Sequence, residues 1–188
     1  MSTTSILDVR TPLQAPAAAA AELASRDLEL QMQAQLQTEW CWAAVSTSVA
    51  LFYEPAAAWT QCTVVNEGLG QSTCCQDGGS TTCNQPNYLE KALALVGHLD
   101  RDFGGALGLD AVAAQIDVGR PVGLCIDWKG GGGHFVVVDG YDRATQTLDV
   151  KDPMFGPSHV PVGSFPATYQ GGGTWSWTYL TAPQEGGS

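Results

Sequence analysis

Hydrophobic and polar residues follow a helical period in the first part of the chain. An apolar run without glycine or proline covers residues 41–53 and predicts a buried central helix. Apolar residues at spacings of three and four predict two further helices, over about 87–96 and 109–118, each followed by a glycine suited to a helix C-terminus. Upstream of them, alternation over residues 28–32 predicts a half-buried strand that leads to Gln35.

From residue 121 the alternation has a period of two, which is typical of half-buried strands. The predicted strands cover residues 121–128, 134–141, 147–152, 158–162 and 174–182. Helices followed by strands predict an α+β fold in which the central helix packs on a C-terminal antiparallel sheet. Residues 1–26, which include a run of alanines, predict a flexible N-terminal segment, so a single domain is expected over residues 27–188.

A turn centred near residue 143 joins two of these strands into a hairpin. Its position predicts that His134 lies directly opposite Asp152, where paired Cβ atoms are about 5 Å apart. A carboxylate there can accept the second ring N–H of His134, fix its tautomer and stabilise the imidazolium. The hairpin therefore favours Asp152 over Asp149 as the partner of His134.

Composition and charge limit the classes of protein to which the chain can belong. With 188 residues, 44% of them hydrophobic and 14% charged, it has enough apolar sequence for one globular core. The net charge of −11 argues against nucleic acid or an anionic membrane surface as the main partner. No apolar run reaches the roughly 18 residues of a membrane-spanning helix, and the N-terminus as it stands has no signal-peptide pattern.

Four of the six cysteines fall in one loop rich in glycine, serine and threonine: Cys62, Cys74, Cys75 and Cys83. We expect two disulfides in this loop, and a zinc site or free thiols are the alternatives. Joining the adjacent cysteines would be strained, which leaves two pairings: 62–74 with 75–83, or 62–75 with 74–83. Disulfides in turn predict a protein that is secreted or delivered to an oxidising compartment.

Cys41 is the candidate nucleophile because it lies between two tryptophans at the start of the predicted central helix. A helix N-terminus lowers the pKa of a thiol and so favours the reactive thiolate. Gln35, six residues upstream, is a candidate oxyanion donor together with the Cys41 backbone N–H, and Gln37 is its rival for that role. With His134 as general base and Asp152 to orient it, these residues form a complete set for acyl transfer through a thioester.

Other residues of the same types have plainer explanations. Cys125 lies within a predicted strand and is expected to be an inert core residue. His98 follows a helix end and is expected to cap the helix or to lie at the surface, and His159 lies in a proline-rich stretch and is expected at the surface. Trp40 and Trp42 are expected to pack around the thiol, and Trp42 is also a candidate wall of a substrate pocket.

Three blocks of sequence resemble the papain-like cysteine peptidases of bacteria. They are QLQTEWCWAA at 35–44, GHFVVVDGY at 133–141 and VKDP at 150–153. The chain is similar to staphopain and to avirulence-type effector peptidases over residues 27–182, and the blocks follow that family's order of Cys, His and Asp. The resemblance implies a triad of Cys41, His134 and Asp152 with Gln35 at the oxyanion, although many papain-type enzymes have asparagine in place of this aspartate.

The function implied by the resemblance is hydrolysis of peptide bonds by a thiol protease, in an exported bacterial effector or toxin. The partners implied are a protein or peptide substrate and an immunity or inhibitor protein; no cofactor or metal is expected. The same triad also serves acyl transfer of the transglutaminase or deamidase type. A binding module with an inactive cleft is the third alternative, and the complete set of four residues argues against it.

Overall fold

The computed structural model describes residues 24–184, which contain four helices and a seven-stranded sheet. The helices are α1 Cys41–Tyr53, α2 Gln61–Leu69, α3 Leu89–Leu95 and α4 Leu109–Ile116. The strands are β1 Ser25–Asp27, β2 Leu99–Gly104, β3 Val122–Trp128, β4 Gly133–Asp142, β5 Thr147–Asp152, β6 Gly156–Pro161 and β7 Gly173–Thr181. The sheet is antiparallel in the order β2-β7-β3-β4-β5-β6, and β1 pairs with the end of β4 that β3 does not reach. The predicted α+β fold is confirmed, and within residues 24–184 no helix is long and apolar enough to cross a bilayer.

Helices cover both faces of the sheet because its central strands are apolar on both sides. Val136 and Val138 of β4 pack in the core that contains α4, whereas Val137 between them packs with α1 and α3. The α1 helix is buried along residues 41–50, as the apolar run predicts. Its serine hydroxyls donate to carbonyls one turn back, and the Ser48 hydroxyl also accepts from the Gln33 N–H at 2.9 Å, which ties the entering segment to the helix.

The segment predicted as a strand at residues 28–32 is not a strand, because β1 lies earlier and the chain then follows β4 without a ladder. Asp139, at a β-bulge in β4, binds the segment instead. Its carbonyl accepts from the Leu28 N–H at 2.9 Å, and its carboxylate accepts from the Leu30 N–H at 2.9 Å. Hydrogen bonds to Asp139 thus replace the regular strand pairing that the alternation predicted. Residues 28–32 still lead to Gln35, as expected.

The folded part begins earlier than predicted. Ser25 and Arg26 pair with β4, although the predicted flexible segment, residues 1–26, includes them. The rest of that prediction falls on residues 1–23, which lie outside the described residues.

Two elements are present that the sequence pattern did not indicate. The α2 helix lies inside the cysteine loop, where Thr60 caps it and exchanges hydrogen bonds with Thr63 in a capping box. The β2 strand is an edge strand with several polar residues, so its sequence does not alternate clearly. Both elements depend on contacts with neighbours more than on their own hydrophobic period.

Two disulfides cross-link the cysteine loop. Cys62 is bonded to Cys75 and Cys74 to Cys83, which is one of the two expected pairings. Cys41 and Cys125 carry free thiols. The loop is therefore held covalently, while the candidate nucleophile remains reduced.

Candidate active site

Cys41 is the first residue of α1, and its side chain is buried. Backbone N–H groups in the first turn of a helix have no intrahelical partner, so they are available to a group bound near the thiol. The two flanking tryptophans fix this turn by their indole N–H groups. Trp40 donates to the carbonyl of Cys83 at 2.8 Å, and Trp42 donates to that of Gln85 at 3.1 Å. Their predicted packing role thus includes tying the start of the helix to the disulfide loop.

His134 and Asp152 are in direct contact: Nε2 of His134 lies 2.8 Å from Oδ1 of Asp152, and both side chains are buried. The register that brings them together differs from the predicted one. Val138 pairs with Val150, so the same register places Asp152 opposite Val136 and not opposite His134. The turn between Asp142 and Thr147 is centred later than residue 143, and the extra residue of the bulge in β4 removes only part of that offset. The two side chains still meet because His134 is two residues further along on the same face, as a diagonal neighbour.

Asp152 accepts hydrogen bonds on both of its carboxylate oxygens. Besides His134, Oδ1 accepts from the backbone N–H groups of Met154 at 2.7 Å and Phe155 at 3.0 Å. Oδ2 accepts from the hydroxyl of Tyr169 at 2.9 Å. Burial raises the pKa of this carboxyl, but the hydrogen bond and charge of His134, together with the two backbone N–H groups, lower it below its ordinary value of 3.8. Asp152 is therefore an anion at neutral pH.

The imidazole of His134 has partners on both of its sides. Asp152 occupies Nε2, and the side chain of Cys41 lies close enough to the ring to influence its pKa. Burial lowers the pKa of His134, but the hydrogen bonds and charges of Asp152 and Cys41 outweigh it and raise the pKa to about 9. The arrangement can therefore hold an imidazolium beside the Asp152 carboxylate at neutral pH.

Gln35 lies beside this cluster, with its backbone N–H donating to the carbonyl of Pro153 at 2.9 Å. Its side-chain Nε2 donates to the carbonyls of Gln37 and Thr38, each at 2.9 Å. The opposite orientation of the amide would bring oxygen against oxygen, so these two contacts fix it. The amide thus braces the chain that enters Cys41, and to bind an oxyanion it would have to release one of the two carbonyls.

The model of one protein family, described as papain-like cysteine protease AvrRpt2, matches residues 23–170, which include all of the residues above. The chain belongs to the AvrRpt2 family of papain-like cysteine proteases. The protease is thus a hydrolase that acts on proteins or peptides. No curated protein matches the sequence.

Two solved structures show a fold similar to that of the protease. Xylellain, a cysteine protease from Xylella fastidiosa, superimposes with a TM-score of 0.54 at 13% identity, over 96% of this chain and 95% of its own. A C39-like peptidase from Bacillus anthracis gives a TM-score of 0.54 at 12% identity, over 84% of this chain and 97% of its own. At these identities the likeness shows the fold alone.

A cavity of approximately 510 Å³ opens beside Cys41, in the size range of ligand pockets. Trp42, which the sequence suggested as a pocket wall, lines it together with Phe135 and Tyr179. Carboxylates also line it, from Glu39, Glu90, Asp102 and Asp127. The cavity is thus apolar with acidic groups, and it lies next to the nucleophile.

The remaining free cysteine, Cys125, and the other two histidines, His98 and His159, lie in surroundings different from those of Cys41 and His134. Cys125 lines the cavity, but burial raises the pKa of its thiol to about 11, which keeps it protonated and unreactive. His98 is buried and stacked on Tyr53 at 4.8 Å, so the surface alternative is wrong, whereas its backbone N–H donates to the Leu93 carbonyl at 2.8 Å at the end of α3. The contact forms because the end of β7 passes over this histidine, whose Nδ1 lies 2.9 Å from the carbonyl of Ala182. His159 is exposed, as predicted.

Among the aromatic residues that touch the cluster, Trp128 and Tyr169 were missed by sequence reasoning. The ring of Trp128 is stacked on His134 at 5.8 Å and on Tyr169 at 6.4 Å. Tyr169 also reaches Asp152, as described above. No local pattern could have indicated them, because they come from the end of β3 and from the β6–β7 connection, and only the tertiary structure brings them to the site.

Proposed function

We propose that Cys41, His134 and Asp152 are the catalytic triad of this protease, acting through an acyl-enzyme thioester. The observation that carries the proposal is the buried contact of 2.8 Å between His134 and Asp152, with Cys41 close enough to the same imidazole to raise its pKa. A thiolate at a helix N-terminus, a base and a carboxylate that orients the base are the parts that nucleophilic acyl transfer requires. Three elements supply them: α1, β4 and β5.

Acylation begins when the Cys41 thiolate attacks the carbonyl carbon of the scissile peptide, so that a C–S bond forms and an electron pair moves to oxygen. The backbone N–H of Cys41 donates to this oxyanion, and the Gln35 amide joins it on releasing a backbone carbonyl. The C=O bond then re-forms, the C–N bond breaks, and Nδ1 of His134 gives its proton to the leaving amine. A water molecule, deprotonated by His134, attacks the thioester and releases the acid and the thiolate.

We further propose that the protease is exported and acts as an effector or toxin on proteins outside the producing cell. The two disulfides support this destination, because such bonds persist where the environment is oxidising. The net charge of −11 makes nucleic acid and anionic membranes poor partners. A toxin that cleaves proteins would be harmful to its producer, so an immunity or inhibitor protein that covers the cleft is the partner we expect.

The test is cleavage of an unfolded protein by the wild type and by Cys41→Ala, with the products analysed by mass spectrometry. Loss of the nucleophile should reduce turnover by several powers of ten while the thermal unfolding transition stays in place. Cys125→Ala is the matched control, because it removes the other free thiol that lines the same cavity. It should leave turnover nearly unchanged.

Substantial turnover by folded Cys41→Ala protein would show that the mechanism is wrong. The product masses decide the reaction: added water means hydrolysis, whereas an added amine means acyl transfer. A wild-type protein that neither reacts with a thiol-directed inhibitor nor cleaves any substrate would support the inactive binding module.

A further inference from the structure

The geometry points to Tyr169 as a positioning residue of the active site, whose hydroxyl holds Asp152 in the orientation that His134 needs. The inference rests on the proposed triad and extends it by a fourth side chain. Tyr169 donates to Oδ2 of Asp152 at 2.9 Å, on the oxygen opposite the one that faces the imidazole. It therefore acts through the carboxylate and does not touch the reacting atoms.

The hydroxyl is the donor that the structure provides for Oδ2. The other oxygen, Oδ1, already accepts from His134 and from two backbone N–H groups of the turn after β5. The Asp152 side chain is 0% exposed, so bulk water does not replace a missing donor. A buried carboxylate oxygen without a donor is costly, and the carboxylate would turn to find another one. The Tyr169 hydroxyl prevents that rotation.

Tyr169 is itself held in place on both sides. Its ring is stacked on Trp128 at 6.4 Å and meets Phe165 edge-on at 5.4 Å. Its backbone N–H donates to the carbonyl of Pro166 at 3.1 Å, and its carbonyl accepts from the Gly172 N–H at 2.7 Å. Trp128 also stacks on His134, so one indole covers both ends of the chain of hydrogen bonds. A donor fixed in this way can fix its acceptor.

The charges around Asp152 keep Tyr169 a donor. Burial, and then the charge and hydrogen bond of Asp152, raise the pKa of Tyr169, so it stays protonated over the pH range of an assay. The titratable groups that face Asp152 are His134 from β4 and Tyr169 from the β6–β7 connection, and Cys41 of α1 acts on the same imidazole. Lys151 precedes Asp152 on β5 and points to the opposite face, where it lies 3.4 Å from Asp139.

The test compares Tyr169→Phe with the wild type in kcat, KM and the pH dependence of kcat/KM. The variant removes one oxygen and keeps the ring packed, so we expect kcat to fall about 10-fold with KM unchanged. Loss of a hydrogen bond to the ionised carboxylate raises the pKa of Asp152, so the acid limb of the profile should move up by about one pH unit. The matched control is Tyr53→Phe, which removes a hydroxyl bonded to Thr181 at 2.8 Å, at the end of α1 remote from Cys41. Tyr53→Phe should change neither kcat nor the position of the acid limb.

Wild-type kcat and an unmoved acid limb in Tyr169→Phe would overturn the inference, as would a rise in KM alone, which would place Tyr169 in substrate binding. Loss of the cooperative thermal transition would also overturn it, because the hydroxyl would then be needed for the fold. Each of these outcomes is measured against a wild-type enzyme that is active and that loses its activity in Cys41→Ala. Failure of the proposed function appears separately, as an inactive wild type or an active Cys41→Ala variant.

Discussion

Replacing Asp152 by alanine should change the pH profile of the protease as well as its rate. The carboxylate is a main cause of the raised pKa of His134, about 9, which it maintains against burial. Without Asp152, burial is opposed only by Cys41, so we expect the pKa of His134 to fall to its ordinary value of 6.5 or below. The protonated fraction at pH 8 then drops from about nine tenths to about one thirtieth, so kcat/KM at that pH should fall about 30-fold from this cause alone.

The assay is kcat/KM on a peptide substrate, measured from roughly pH 5 to pH 10. The wild type should lose activity above pH 9, whereas Asp152→Ala should lose it above pH 6.5, so the ratio of the two should grow between these pH values and then level off. Asp149→Ala is the matched control, because this aspartate also contacts a histidine, the exposed His159, from the same strand. A basic limb that stays near pH 9 in Asp152→Ala, or one that moves equally in Asp149→Ala, would refute the reasoning.

Two further predictions concern the oxyanion and the disulfide loop. Gln35→Ala should lower turnover by about 100-fold, the usual loss for one oxyanion donor, and Gln37→Ala should lower it less; steady-state kinetics showing the reverse order would contradict the assignment. Replacing Cys74 and Cys83 together by serine should lower the free energy of unfolding by about 3 kcal/mol, because the bond closes a short loop in the unfolded chain. Turnover should fall as well, since the carbonyl of Cys83 anchors Trp40, and an unchanged denaturation midpoint would show that the bond contributes nothing to stability.

The free and bonded cysteines have different chemical surroundings, although all lie in one small domain. Cys41 and Cys125 both line the cavity, but only Cys41 has an imidazole as its neighbour. The bonded cysteines lie in the loop that receives the two indole N–H groups. The two disulfides therefore hold the loop that binds Trp40 and Trp42, and these tryptophans flank the reduced thiol of Cys41 at the start of α1.

The sequence by itself determined the helical run that begins at Cys41, the strand that carries His134 and the division of the cysteines. These features depend on local period and on residue types that are close together in the chain, so pattern reasoning could find them. It also identified Asp152 as the partner of His134, although by a register that the structure corrects. The strand period ensured that the two side chains share a face, and that was sufficient for them to meet.

Only the tertiary structure decided the details that control the chemistry. The turn after Asp142 and the bulge at Asp139 together set the register of the hairpin, and contacts with Asp139 replace the predicted strand before Gln35. The Gln35 amide is oriented by carbonyls that a turn brings to it, and His98 is buried by the end of β7. Tyr169 reaches Asp152 from a different connection. Such contacts join residues far apart in sequence or depend on the path of a loop, and no hydrophobic period encodes them.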